Sequence, residues 1–279
     1  MNAWRLLPLE SLDPSVNMAV DEALLRLHAE GEAPPTVRFY QWSPPAVSLG
    51  RFQRLNAFDL GACRRLGLTV VRRSTGGRAV LHQGDLTYSV VAGTADGVPP
   101  PVAASYDLVS RGLAEGLRLL GVEVEPGREA TKAAGPAVCF LRSAAGDLTH
   151  RGRKFVGSAQ SWRGESMLQH GSVLLKSQTD LWVELLGPAA STSSLRARLA
   201  SRTTSLGEVL GRTVEPDEVA RALAQGLERV LKVRLEPGAL TAEERALARE
   251  FAAAEFTSLN RTDGAAVDND GGPRLGFPL

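Results

Sequence analysis

The stretch with the clearest chemical potential runs from Val71 to His82, where three arginines surround two adjacent glycines. The arginines are Arg72, Arg73 and Arg78, and the glycines are Gly76 and Gly77. Strand-like runs flank this loop, and its adjacent glycines predict a tight turn at which a ligand approaches the backbone. The guanidinium groups of arginine and the backbone N–H groups can bind a carboxylate, a phosphate or a polarised carbonyl. The residues alone leave open an ordinary hairpin with solvated arginines.

The two cysteines differ in their surroundings along the chain. Cys63 falls on the apolar side of a short helix predicted for 58–66, so it is predicted to be a small buried hydrophobe. Cys139 follows a segment rich in small residues, outside any helical apolar stripe and with several cations nearby in sequence. Reactive thiols need such electropositive, partly exposed surroundings, because the thiolate is the nucleophile. Cys139 is therefore a candidate nucleophile, although a lone cysteine does not establish catalysis.

Hydrophobic periodicity predicts the elements that must position these residues. A helix begins after Asp13, and its apolar residues recur at i, i+3 and i+4, which is typical of a helix packed on a sheet. Residues 36–42 and 46–49 are predicted to be partner strands across a proline-rich connection. Residues 147–149, 154–161 and 167–175 alternate in the same way and predict a small antiparallel group joined by hairpin turns. Further helices are predicted at 105–120, 179–186, 194–200, 216–231 and 241–256.

These elements predict an α/β fold of the α+β type, in which a mixed, largely antiparallel sheet is flanked by helices. The main domain is expected at 1–176, with its core extending to about residue 212. A small helical C-terminal appendage is expected at 213–260. The tail at 261–279 is polar and rich in Gly and Asp, so it is expected to be mobile.

Composition excludes several function classes. The chain has 279 residues and a formal net charge of +1, whereas a general nucleic-acid binder carries a strong basic excess. No apolar run approaches the length needed to span a membrane, and the N-terminus lacks a signal-peptide pattern, so a cytoplasmic protein is expected. Two cysteines provide neither a disulfide framework nor a cysteine-rich metal site, and no metal is expected.

Several ordered segments resemble the biotin/lipoate protein ligase superfamily. The strongest are Arg73–His82, Gly152–Gln160 and Gln169–Ser172. Its lipoate branch is matched further by Asn17–Glu22, Arg38–Tyr40, Ser48–Gln53 and Leu206–Glu208. The resemblance implies a biotin/lipoate ligase-like catalytic domain, with the helical appendage typical of the lipoate branch.

Two positions separate this sequence from the ATP-using ligases of that branch. Arg78 stands where the ligases carry a third glycine, and Cys139-Phe140 stands where they carry an Asn-Asp pair. This pattern is similar to the cysteine-dependent octanoyl-[acyl-carrier-protein]:protein N-octanoyltransferases. The resemblance implies that Cys139 and Lys154 are catalytic. It also implies that the substrate is bound by Arg72, Arg73, Gly76, Gly77, Arg78, His82, Gly157, Ser158 and Ala159.

The implied reaction moves octanoyl from acyl carrier protein to Cys139 and then to a lysine of an apo lipoyl domain, in glycine cleavage H protein or an E2 subunit. Thioester aminolysis is downhill, so no ATP or other cofactor is expected, and a monomer is expected because relatives are often monomeric. Three alternatives stay open: an ATP-dependent lipoate-protein ligase, a transferase that moves octanoyl between lipoyl domains, and a non-catalytic acyl- or lipoyl-domain-binding protein.

Overall fold

A computed structural model of the chain describes residues 2–55, 59–100, 102–127, 146–186 and 192–259. The strands within these ranges are β1 (Asn2–Leu6), β2 (Glu10–Leu12), β3 (Thr36–Trp42), β4 (Ala46–Leu49), β5 (Thr69–Arg72), β6 (Val80–His82), β7 (Asp85–Gly93), β8 (Glu125–Pro126), β9 (Leu148–His150), β10 (Arg153–Arg163), β11 (Ser166–Leu174) and β12 (Val233–Pro237). The helices are α1 (Pro14–Ala29), α2 (Leu60–Arg65), α3 (Val102–Leu119), α4 (Thr179–Leu186), α5 (Thr192–Arg202), α6 (Leu206–Leu210), α7 (Pro216–Leu231) and α8 (Ala242–Ala254). Cys139 and the tail predicted to be mobile at 261–279 lie outside the described residues.

A nine-stranded sheet forms the centre of the described part of the chain. Its order is β12-β1-β3-β7-β11-β10-β9-β8, with β2 also paired to β3. The pairs that join β3, β7, β11, β10, β9 and β8 in turn are antiparallel, whereas β1 pairs in parallel with β3 and β12. The predicted mixed, largely antiparallel sheet is confirmed, and so are the two hairpins from β9 to β11.

Both faces of this sheet are covered, because neighbouring strand residues point to opposite sides. Tyr88 and Val90 of β7 pack in one core with Leu113 of α3 and Leu223 of α7. On the other face, Val91 packs in a second core with residues of α1 and α8. The predicted helix α1 is confirmed, and the Asp13 side chain caps it by accepting from the Ser15 N–H at 2.8 Å. The sheet is thus packed between two helical layers.

One predicted strand pairing is wrong, because the run 46–49 does not pair with 36–42. The ordinary hairpin that the residues left open around the Gly76-Gly77 loop is also not formed. A separate three-stranded sheet has the order β5-β4-β6, so β4 lies between the two strands that flank the loop. All four residues of β4 are buried, and α2, α4 and α5 supply apolar side chains to this third core. Burial on both faces explains why β4 occupies the middle of its own sheet.

The segment predicted as a helical appendage contains a strand that periodicity missed. β12 lies between α7 and α8 and pairs in parallel with β1 from Asn2↔Val233 to Leu6↔Pro237. Only Val233 and Leu235 of this short strand are buried, so its alternation is a weak signal. The C-terminal elements therefore complete the edge of the main sheet.

Candidate active site

A pocket opens between the small sheet and strands β3, β7, β10 and β11. Of the residues predicted to bind substrate, Arg73, Gly77, His82, Gly157, Ser158 and Ala159 line it. Sequence reasoning missed other lining side chains, among them Met18, Trp42, Ser48, Thr87, His170 and Ser172. Arg72, Gly76 and Arg78 are outside the lining. The pocket brings together residues from Met18 to Ser172, which are far apart in the chain.

Arg72 supports the neighbouring loop from behind the pocket. Its Nη1 donates to the backbone carbonyls of Gly50 at 2.9 Å, Arg51 at 3.2 Å and Gln53 at 2.6 Å. These three contacts shape the turn that follows β4. The structure therefore gives Arg72 a role in holding the loop, and direct substrate binding by Arg72 stays a prediction.

Arg73 is buried and organises the glycine loop. Its guanidinium donates to the carbonyls of Ser48 at 3.0 Å, Gly76 at 2.7 Å and Arg78 at 2.9 Å. Gly77 adopts a φ of +93°, which L side chains rarely adopt, so a glycine is needed at this position. The loop is closed around a buried cation, and Gly77 faces the pocket.

His170 connects the same loop to helix α1. Its Nδ1–H donates to Asp21 Oδ2 at 3.0 Å, and its Nε2 lies 2.6 Å from the Thr75 hydroxyl. Asp21 also accepts from Arg38, Tyr40 and Ser89, each at 2.8 Å. Burial alone would raise the pKa of Asp21, but the hydrogen bond from His170, the charge of Arg38 and the hydrogen bond from Tyr40 outweigh burial and lower it. A buried carboxylate thus fixes the imidazole that anchors the loop.

His82 belongs to a second buried carboxylate cluster. The His82 Nδ1–H donates to Asp85 Oδ2 at 2.9 Å, and its Nε2 lies 2.8 Å from the Ser48 hydroxyl. The Trp42 ring stacks on the imidazole with a centroid distance of 3.9 Å. Burial lowers the pKa of His82 despite the opposing charge of Asp85. The imidazole is therefore neutral at neutral pH.

Lys154, predicted to be catalytic, is held by a carboxylate in the interior. Its Nζ lies 2.8 Å from Asp147 Oδ2, and both side chains are only 3% exposed. Cys139, its predicted catalytic partner, falls among the residues outside the description. Cys63 is buried as predicted, and burial raises the pKa of its thiol to about 11.

The chain matches known proteins over most of its length. The lipoyl protein ligase A/B catalytic domain model matches residues 13–228. The octanoyltransferase LipM of Geobacillus kaustophilus is 41% identical over 266 residues, which cover 91% of this chain and 96% of the relative.

Two solved structures share the fold. A crystal structure of lipoate-protein ligase A bound with ATP has a TM-score of 0.75 and 27% identity, covering 91% of this chain and 96% of the other. A bi-partite lipoate protein ligase from Thermoplasma acidophilum, described with its E2 lipoyl domain, has a TM-score of 0.77 and 25% identity, covering 91% and 94%.

The fold and the matches agree on one assignment. The described helices include none that is both long and apolar enough to cross a membrane. Because the family model covers well over half of the sequence and a relative matches almost from end to end, the chain belongs to the lipoyl protein ligase A/B catalytic domain family.

Proposed function

We propose that this chain is an octanoyltransferase of lipoate biosynthesis, which moves octanoyl from acyl carrier protein through a Cys139 thioester to a lysine of an apo lipoyl domain. The acceptor is glycine cleavage H protein or an E2 subunit. The observation that carries the proposal is the 41% identity, over nearly the whole chain, to a relative named octanoyltransferase. The enzyme class is therefore acyltransferase.

The proposed reaction has two steps. The Cys139 thiolate attacks the carbonyl of octanoyl-carrier protein, so that a new C–S bond forms and the carrier thiol leaves. The acceptor lysine amine then attacks the octanoyl-Cys139 thioester, a C–N bond forms, and the Cys139 sulfur leaves. No nucleotide is needed, because the energy is already stored in the thioester.

Lys154 supports this scheme through its charge. The Asp147 carboxylate, 2.8 Å away, pairs with the ammonium and restricts its position. A fixed cation favours the thiolate of a nearby cysteine over the thiol and stabilises the negative charge that develops on the thioester oxygen. We infer that Lys154 acts as a charged group rather than as a base.

The pocket suits an acyl chain of limited length. Met18, Trp42 and Val80 give part of its lining apolar character. At about 0.8 kcal/mol per buried CH₂, the six methylenes of an octanoyl chain contribute on the order of 5 kcal/mol. One carbon more or less changes binding only about fourfold, so heptanoyl and nonanoyl donors are expected to compete measurably with octanoyl.

Intact-mass measurement tests the function directly. The protein is incubated with octanoyl-carrier protein without nucleotide, and the mass increase of one octanoyl group is followed. Cys139→Ala should lose the adduct completely, whereas the matched control Cys63→Ala should keep it, because Cys63 lies in the third core away from the pocket. Loss of the adduct in both variants, or in neither, would contradict the assignment of Cys139.

An ATP-dependent lipoate ligase is the second candidate, since a ligase bound with ATP shares the fold. Lipoyl transfer that appears only with ATP and survives Cys139→Ala would favour it. The same measurement with an octanoylated lipoyl domain in place of the carrier protein tests transfer between lipoyl domains. Adduct formation from that donor would favour it. We expect a cytoplasmic monomer. Size-exclusion chromatography measures the oligomeric state.

A further inference from the structure

Ser48, His82 and Asp85 form a continuous hydrogen-bonded array at the wall of the pocket. The Ser48 Oγ lies 2.8 Å from His82 Nε2, and His82 Nδ1 lies 2.9 Å from Asp85 Oδ2. All three residues are at most 4% exposed, yet Ser48 and His82 both line the pocket. Asp85 accepts further bonds from Thr87 at 3.2 Å and Ser172 at 2.7 Å, so its carboxylate is firmly held.

Neighbouring groups set the direction of every hydrogen in this array. Because the Asp85 carboxylate can only accept, the neutral imidazole carries its proton on Nδ1 and leaves Nε2 as an acceptor. Arg73 Nη1 lies 3.3 Å from Ser48 Oγ and can only donate to it, so the Ser48 hydroxyl donates to His82 Nε2. The array is therefore arranged to pass a proton from the pocket to His82.

We propose that Ser48, His82 and Asp85 are a proton relay for amide formation, which rests on the octanoyltransferase function proposed above. As the acceptor amine becomes an amide, its nitrogen bonds to the octanoyl carbon and gives up a proton to Ser48 Oγ, while Ser48 passes its own proton to His82 Nε2. The C–S bond to Cys139 breaks and the sulfur leaves as a thiolate, while the nitrogen keeps its remaining proton as the amide N–H. His82 then releases its proton to solvent, and Asp85 stabilises the transient imidazolium.

The charged groups around His82 keep it available as a base. Asp85 faces it from β7, Arg73 from the loop after β5 and His170 from β11, while Trp42 of β3 and Ser48 of β4 are neutral. Burial lowers the pKa of His82, Arg73 and His170 act in the same direction, and Asp85 opposes them. The imidazole is therefore unprotonated at neutral pH and gains a proton only under more acidic conditions.

Two other arrays of hydroxyl, imidazole and carboxylate provide a comparison within the described residues. Thr75, His170 and Asp21 form one, but the Thr75 side chain is outside the pocket lining. Ser166, His28 and Asp96 form the other, with contacts of 2.8 and 2.9 Å, at the end of β7 and β11 remote from the pocket. Position at the pocket, rather than the array itself, distinguishes Ser48.

Single-turnover kinetics test the relay, because loading and transfer can be measured apart. Protein is first loaded with octanoyl-carrier protein and then mixed with apo lipoyl domain, with intact mass followed in both steps. Ser48→Ala and His82→Gln should slow the transfer step about 100-fold more than they slow the loading step. The matched control Ser166→Ala, which removes the same kind of hydroxyl–imidazole contact away from the pocket, should perform both steps normally.

The pH profile distinguishes a relay from a structural contact. Below the pKa of His82, the transfer rate of wild type should fall more steeply with decreasing pH than that of His82→Gln, and the two profiles should be parallel at higher pH. Equal slowing of loading and transfer, unchanged transfer, or identical profiles would overturn the relay.

Failure of wild type to load would overturn the proposed function itself. Should His82→Gln not fold, Ser48→Ala, which deletes a single oxygen, decides the question through the loading and transfer rates.

Discussion

The approach of Gly50 to Gly77 leads to a quantitative prediction about the glycine loop. A Cβ built on Gly50 would lie 2.0 Å from the Gly77 carbonyl oxygen, whereas Cβ atoms in real proteins essentially never come closer than 3.0 Å. Gly50→Ala must therefore push the loop away by about 1 Å, against the hydrogen bond from the Arg51 N–H to the Thr75 carbonyl. The obstacle is backbone, so no side-chain rotation relieves it.

Gly50→Ala is expected to lower the free energy of unfolding by about 3 kcal/mol, at the upper end of the range for overpacking. The melting temperature should then fall by roughly 6 °C. Gly77→Ala should cost less, roughly 1–2 kcal/mol, because it forces alanine to a φ of +93° and brings a Cβ to 2.8 Å from Arg73 Nη2. Gly76→Ala is the matched control, since its Cβ would meet nothing within 4 Å and its φ is not in the strained range. It should be neutral or stabilise by about 0.5 kcal/mol.

Urea unfolding followed by circular dichroism measures all three variants, with an unchanged m-value as the check that two-state behaviour is kept. Octanoyl loading then shows whether the displaced loop alters the pocket, since Gly77 lines it. A Gly50→Ala protein as stable as wild type would refute the close approach. Equal damage from Gly76→Ala and Gly77→Ala would refute the distinction between the adjacent glycines.

Three further predictions concern buried ionisable groups. Cys63, whose pKa burial raises to about 11, should resist iodoacetamide in the native protein and react only after unfolding, as peptide mass mapping would show; native labelling would contradict its burial. Asp147→Asn should lower the free energy of unfolding by roughly 3–5 kcal/mol, because it leaves Lys154 without its carboxylate; a double-mutant cycle with Lys154→Met that is strictly additive would contradict this coupling. The folded-state pKa of Asp21 is lowered, so its stabilising effect is present above its unfolded pKa of about 4 and is lost as pH falls through the folded value. Asp21→Asn should therefore destabilise the protein at about pH 7 and much less near pH 2, and urea unfolding that gave equal deficits at both would contradict the lowered pKa.

Local sequence predicted the elements of this fold better than their partners. The apolar periodicity of α1 and the strand-like run of β3 are local features, so both are visible in the sequence. The partner of β4 is not visible, because pairing depends on which buried edge is available once distant segments have folded. β4 is the middle strand of its own sheet although only three residues separate it from β3.

The same limit applies to the candidate site. Arg73 and Gly77 stood out because arginines beside paired glycines are unusual, and both line the pocket. Ser48 and Ser172 gave no comparable signal, since a small hydroxyl residue on a strand fits many roles. Only the register that sets Ser172 opposite Gly157 on β10 and Thr87 on β7 brings its hydroxyl to Asp85. Roles for Cys139 and Lys154 stay predictions that the loading experiment decides.

The parallel pairing of β1 with β12 has a consequence for synthesis on the ribosome. The paired residues are about 230 positions apart in the chain. At translation rates of about 5–20 residues per second, β12 is synthesised roughly 10–50 s after β1, and the outer edge of β1 stays unpaired during that time. An unpaired strand edge is a template for aggregation during that interval, so chaperone dependence should increase when translation between the two strands is slowed.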